Sequence, residues 1–366
     1  MKPDGISPDP VEEGLAMLHE LLETRSPSGE ESRASALLVA WLGAHGFDAE
    51  CDGAGNAVGV LEPLDDETSD TTPGREIILL GHIDTVPGFP PVILREGKLY
   101  GRGAVDAKGP LAAFATAAAT VGRRRGWRII VVGAVEEESA SSKGARYLLS
   151  RHRPDLVVIG EPTGWQRVAL GYKGRLLAEV RAQRVLAHTA GPATSAPEMT
   201  VNFWNKLEGV LSGLNSNRDR AWDQIQATIR GFSSSTDGLT EVAKMSLGFR
   251  LPMDTGPDEL KQLLISADGN VSLSFRGEEH AYRADKNTPV VHAFLASVRV
   301  QGGQPSFVFK TGTSDMNVVG PAWRCPIVAY GPGDGSLDHT PGEHVEVDEW
   351  RRGVAVLANT LLRLTS

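Results

Sequence analysis

A chain of 366 residues with a 41% hydrophobic fraction is longer than one typical domain and can bury a sizeable core, so two domains are expected. A formal net charge of -9 excludes nucleic acid and an anionic membrane as the principal partner, because both need a basic footprint. No run of about 18 apolar residues occurs, the start MKPDGISPDPVEEG is neither basic nor apolar, and Cys51 and Cys325 are too few for a disulfide framework, so a cytoplasmic protein with two ordinary buried thiols is expected.

Along residues 11–43 the apolar positions Leu15, Leu18, Leu21 and Leu22, then Leu37 and Trp41, recur at helical spacing and break at Ser26-Pro27-Ser28-Gly29, which predicts two helices. Residues 56–61 and 76–81 are predicted strands, joined by an acidic loop rich in Ser, Thr and Pro. After Gly101-Arg102-Gly103 the Ala-rich stretch 111–122 is a predicted helix, 128–135 a buried strand, 142–151 a helix and 156–160 a strand. Alternating strands and helices define an α/β layer. The pattern then changes: predicted strands 171–184, 224–232, 240–251 and 269–275 alternate with helices 197–214 and 257–265, a small α+β insert. The α/β pattern resumes with a helix from 288, the loop 311–317, the strand 326–330 and a last helix over 347–364. The expected fold is a discontinuous α/β catalytic domain, residues 1–168 and 287–366, with a mixed sheet flanked by helices and residues 169–286 inserted.

Five segments carry the chemistry: GHIDTVPG, GRGAVDAKG, GAVEEES, IGEPT and LDHTPGEHVEV. His82, Asp106, the glutamates 136–138, Glu161 and His339 offer imidazole and carboxylate donors, a mix suited to divalent metal ions that keep room for water. His82 and Asp84, two apart at a strand end, point to one side, so Asp84 is placed to orient the imidazole. Asp106 alone reads equally well as a helix N-cap or as a bridging carboxylate. Three adjacent glutamates after an apolar strand are costly unless a cation or water compensates them; one would bind metal while its neighbour acts as general base, with the register open by one residue. Glu161 ends another strand, where sites gather in open α/β sheets, and His339 lies in a loop.

Together these segments resemble the dinuclear zinc aminoacylase and carboxypeptidase family that includes succinyl-diaminopimelate desuccinylase, acetylornithine deacetylase and glutamate carboxypeptidase. The resemblance implies two metal ions, Zn2+ or alternatively Co2+, one held by His82 and Glu161, the other by Glu137 and His339, with Asp106 between them. It implies Glu136 as general base, Asp84 as the partner of His82, a cis peptide after Asp106, and His188 as the donor to the tetrahedral oxyanion. It also implies that the insert is a lid and dimerisation domain. Glu138 extends the usual pair of glutamates. Within the family, GAVEEESASSKGAR, GEPTGW with GYKGR, and FKTGTSDMN resemble the hydrolases that release lysine, or alternatively ornithine, from the C-terminal glutamate of an acidic LysW-type carrier protein.

On the substrate side, Arg250 resembles the family's carboxylate-gripping arginine, Lys310, Thr313, Ser314, Asp315 and Asn317 form a polar loop that would line the pocket, and Lys173 and Arg175 stand where a carrier would be met. The run Arg123-Arg124-Arg125 precedes the strand that ends at Glu136, which puts it at the other end of the sheet. The competing functions are a deacylase, desuccinylase or carboxypeptidase of free small molecules, and a silent binding protein; the latter would lack a ligand or the base, and every such position is filled.

Overall fold

The computed structural model describes residues 9–64, 74–188, 191–267 and 269–366; the acidic loop expected between the first two predicted strands falls largely outside them. Two compact units are present, Met1–Gly171 with Ala284–Val308 and Ser314–Ser366, and Tyr172–Arg283 with Phe309–Thr313. The return of Phe309–Thr313 to the second unit was not anticipated.

The first unit is built on a mixed sheet. Strand Arg75–His82 lies parallel to Trp127–Ala134 on one side and to Leu156–Gly160 on the other, and Ile327–Ala329 continues the parallel run beside Leu156–Gly160. Ala57–Leu61 and Asp48–Cys51 extend the sheet antiparallel. Parallel strands covered on both faces read as unbroken apolar runs, and Ile77, Ile78, Leu79 and Leu80 are all fully buried. The helix Lys108–Val121 is buried almost all round because its alanines let neighbours approach closely. Helix Val347–Leu364 packs on it through Trp350, fully buried, whose indole N–H donates to the Gly109 carbonyl at 3.0 Å.

The second unit is an antiparallel sheet in the order Gln226–Thr236, Thr240–Leu251, Gly174–Val185, Ser272–Glu279. The stretch read as one strand over 171–184 is two, Arg167–Tyr172 and Gly174–Val185. Helix Ala196–Asn215 starts with a capping box between Ser195 and Glu198 and turns Thr200, Phe203, Leu207 and Leu211 to the sheet at spacings of three and four. With Val180, Leu247, Phe249, Leu260 and Leu264, the residues Phe203, Leu207 and Leu211 form a separate core.

Cysteine burial differs from expectation: Cys51 is exposed on its edge strand and Cys325 is partly exposed. Among the described residues no helix is long and apolar enough to cross a membrane.

Candidate metal and hydrolytic site

Every proposed metal-binding side chain belongs to the first unit. The parallel register explains how they meet. His82 pairs with Ala134 and Gly81 with Gly160, so the three strands end level, and the segments 82–84, 135–138 and 161 leave the sheet side by side. His339 follows the fourth parallel strand. Residues 123–125 lie at the opposite end, where Arg123 donates to the carbonyls of Glu62 and Pro63.

His82 Nε2 stands 3.1 Å from Asp106 Oδ1, and His339 Nε2 stands 3.0 Å from Asp106 Oδ2 and 2.9 Å from Glu138 Oε1. Donor atoms of His82, Asp106 and Glu138 all lie within 4.8 Å of one another. Asp106 does not cap the helix that follows, since the N-cap is Ala107 and no side-chain bond is made there. The peptide between Asp106 and Ala107 is cis. Two imidazole nitrogens facing oxygens of a shared carboxylate, with further carboxylates alongside, are the donor chemistry a divalent ion requires, so these residues fit a metal centre.

Electrostatics agree with this geometry. Burial opposes the charge on His82, yet hydrogen bonds to Asp106 and Asp84 carry its pKa well above the usual imidazole range. Hydrogen bonds to Asp106 and Glu138 push His339 up to about 10. Burial, with the charges of Glu161, Asp315 and Glu138, drives Glu137 well above the carboxylate range, and burial with Asp106 raises Glu138. Acids that repel one another this way are relieved by cations.

Asp84 lies against the imidazole of His82 and holds the glutamates as well. The Nδ1 of His82 donates to the backbone carbonyl of Asp84 at 2.9 Å, with its carboxylate at 3.5 Å. That carboxylate also accepts the amides of Glu137 and Glu138, both at 3.0 Å, and the hydroxyl of Ser28 at 2.6 Å. It thereby places the glutamates. Glu136 has φ 58° and its side chain turns away to Ser141 at 2.6 Å and Lys143 at 3.5 Å, while its amide donates to Glu31. Glu161 is buried directly after its strand.

The remaining sequence candidates lie elsewhere. His188 is exposed beyond the end of strand Gly174–Val185 in the second unit. Arg250 donates to the Thr313 hydroxyl at 2.6 Å, and Arg175, its cross-strand partner, donates to the Gly277 carbonyl. Ser314 is buried, and its hydroxyl accepts the Met316 amide at the start of helix Met316–Trp323. The expectation for Lys173 is corrected: its ammonium is fully buried and donates to the Ala221 and Gln224 carbonyls and to Gln226 Oε1, so it fastens the second unit internally and cannot meet a carrier.

Sequence reasoning gave no role to Ser28, Glu31, Arg102 and Glu343. Ser28 sat in plain view as a turn, and Glu343 lies four residues after His339, but only their hydrogen bonds reveal a role.

An α/β sheet that gathers a buried histidine, a loop histidine and several acids at the ends of its parallel strands has the make-up of a metallohydrolase. Residues 78–363 match the model of peptidase family M20/M25/M40, and the chain belongs to that family, hydrolases of amide bonds. It is 43% identical to the [LysW]-lysine hydrolase of Deinococcus radiodurans, over 95% of this chain and 96% of that one. It is 35% identical to a putative [LysW]-lysine/[LysW]-ornithine hydrolase of Thermococcus kodakarensis, over 96% of this chain and 92% of the other. In fold it resembles an M20 family metallo-carboxypeptidase from Sulfolobus solfataricus, with a TM-score of 0.75, 18% identity and coverage of 95% and 98%. A dinuclear metal binding peptidase from Bacillus subtilis gives a TM-score of 0.69 at 12% identity, covering 98% of this chain and 99% of that one.

Proposed function

We propose that this enzyme hydrolyses the amide that joins lysine to a LysW-type carrier protein, in lysine biosynthesis. The observation that carries the reading is the 43% identity, over nearly the whole of both chains, to a [LysW]-lysine hydrolase. Ornithine is a second candidate product, on the names of the archaeal relatives, and would extend the role to arginine biosynthesis. The cytoplasm is the proposed compartment, consistent with two unbridged cysteines.

In this reading His82 and Glu161 hold one divalent ion, Glu138 and His339 the other, and Asp106 lies between them; zinc or cobalt suits the donors. The ions would polarise the scissile carbonyl and acidify the attacking water. Glu137 accepts that water's proton at a carboxylate oxygen and returns it to the leaving nitrogen. This places base and ligand one residue later than the family pattern implied at first, and three features support the shift: Glu138 faces His339, the charges of Glu161, Asp315 and Glu138 bear on Glu137, and Glu136 turns to Lys143. His188 is proposed to donate to the oxyanion and Arg250 to grip a substrate carboxylate, a task its guanidinium fork suits. The second unit is proposed as a lid and as the dimer contact; its edge strand Gln226–Thr236 leaves Ile229 and Phe232 exposed.

Release of free lysine from a charged carrier protein, compared with acetyl-lysine, acetylornithine and succinyl-diaminopimelate, with zinc or cobalt and with chelator, tests the reading. Preference for the charged carrier that chelator abolishes is expected. Preference for a free acyl-amino acid would replace the carrier by a small-molecule substrate.

A further inference from the structure

Asp106 and His339 belong to loops far apart in sequence, yet their side chains meet at 3.0 Å. One carboxylate and one guanidinium join those loops. Glu343 Oε1 accepts the amides of Gly103 at 2.9 Å, Val105 at 3.0 Å and Asp106 at 3.1 Å, and its Oε2 accepts from Arg102 Nη1 at 2.5 Å. Arg102 also donates to the carbonyls of Gly88 at 3.0 Å, Thr340 at 3.4 Å and His339 at 3.5 Å. The Gly101 amide closes the set on the Glu343 carbonyl at 3.2 Å. The loop that carries Asp106 and the loop that carries His339 are thus fastened to one ion pair.

We propose that Arg102 and Glu343 are a positioning pair that sets the separation of the Asp106 and His339 loops, and so selectively supports the metal position served by Glu138 and His339. Three considerations lead there. The pair is buried, with side-chain exposures of 6% and 0%. A buried ion pair contributes little stability that well-packed apolar residues would not, so its use lies in fixing geometry. His339 needs such fixing, because its side chain is 50% exposed and its backbone is left-handed at φ 62°, so packing alone does little to hold it. His82 and Glu161 differ, since each is attached directly to a buried parallel strand whose register holds it. The two metal positions therefore depend unequally on the pair.

The inference rests on the dinuclear assignment above. The test is Co2+ titration of metal-free protein followed by its d–d absorption, with bound metal counted after gel filtration, on the wild type, Glu343→Gln and Arg102→Lys. Glu343→Gln keeps a carbonyl oxygen for the amides and loses the charge; Arg102→Lys keeps the charge and loses the fork. The wild type should bind two equivalents. In both variants the second equivalent should weaken by about 10- to 100-fold, as for other residues that orient ligands, while the first stays within about 3-fold. Should either variant fold poorly, Arg102→Gln, which keeps a donor toward Glu343 and leaves its amide contacts intact, should show the same selective weakening of the second equivalent. Unchanged affinity for both equivalents, or equal weakening of both, would overturn the proposal. A wild type that binds fewer than two equivalents would instead sink the dinuclear assignment beneath it.

Discussion

Three glutamates in a row present the same chemistry in a sequence, and what distinguishes them is which of their atoms the rest of the chain seizes. Asp84 takes the amides of Glu137 and Glu138, Glu31 takes that of Glu136, and the positive φ at Glu136 sends its carboxylate toward Lys143. Glu137→Gln should therefore lower kcat by about 100- to 10,000-fold, the usual worth of a general base, with two metal equivalents retained. Glu138→Gln should lose metal, and Glu136→Gln should stay within about 10-fold of wild type, an effect of neighbours rather than of chemistry. Steady-state kinetics with metal analysis separates the three; a crippled Glu136→Gln with intact metal binding would restore the earlier register. His339 allows a second expectation, from pH. Its pKa in the metal-free protein, about 10, exceeds the unfolded value of about 6.5, so its imidazolium stabilises the metal-free fold fully below about 6.5 and that contribution is lost as pH rises through about 10. Metal needs the unprotonated ring, so uptake releases protons and tightens over the same interval. Measured against His339→Gln, which lacks this group but keeps the buried lysines that titrate the other way, chelated wild type should lose relative stability from pH 7 to 10 while its apparent metal affinity rises; a difference between the two that does not fall with pH would sink the expectation.

Elements place these residues, and close backbone approaches decide whether they can. A Cβ on Gly144, in helix Lys143–Leu148, would stand 2.3 Å from Asn56 Oδ1 and 2.6 Å from the Val135 amide, in the network that ends the strand before the glutamates. Gly144→Ala should cost about 1–3 kcal/mol by overpacking and depress turnover as well. Gly43, in helix Ser32–Ala44, meets nothing within 4 Å, so Gly43→Ala should add about 0.4–1 kcal/mol. Denaturant titration of the pair checks both signs. At this scale the sequence was legible where periodicity had room to act: strands Leu156–Gly160 and Thr240–Leu251 and helix Val347–Leu364 lie where apolar pattern puts them. Short strands such as Asp48–Cys51, Ile93–Arg95 and His344–Glu346 carry too few residues for alternation to register. Helix Met316–Trp323 was hidden behind turn-forming residues and the internal Pro321. Helix Lys108–Val121 begins before its apolar run because Lys108 is buried, its ammonium donating to the Leu21 and Thr24 carbonyls. The histidines and acids of the site were legible as a set, whereas Arg102 and Glu343 were not, because hydrogen bonds between distant loops leave no local pattern.

For the whole molecule, the division into two units has an energetic consequence. All the metal-binding candidates lie in the first, while the second has its own core around Phe203, Leu247 and Phe249. A ligand stabilises only the cooperative unit that binds it, by about 4 kcal/mol when its free concentration is some thousand times Kd. Two units with separate cores are not bound to unfold together. Chelation should then lower the unfolding midpoint of the first unit and leave the second near its original value. Cys325 reports on the first: it is half-buried, and burial pushes its thiol up to about 11, so native protein should react slowly at pH 8 while exposed Cys51 reacts first. Pulsed thiol labelling along a denaturant series, with amide exchange followed in strand Thr240–Leu251, measures the two units in one sample. The Cys325 transition should move to lower denaturant with chelator while exchange in Thr240–Leu251 holds its midpoint. A shift of both by the same amount would mean that the molecule unfolds as one cooperative body, and that metal stabilises the second unit through the first.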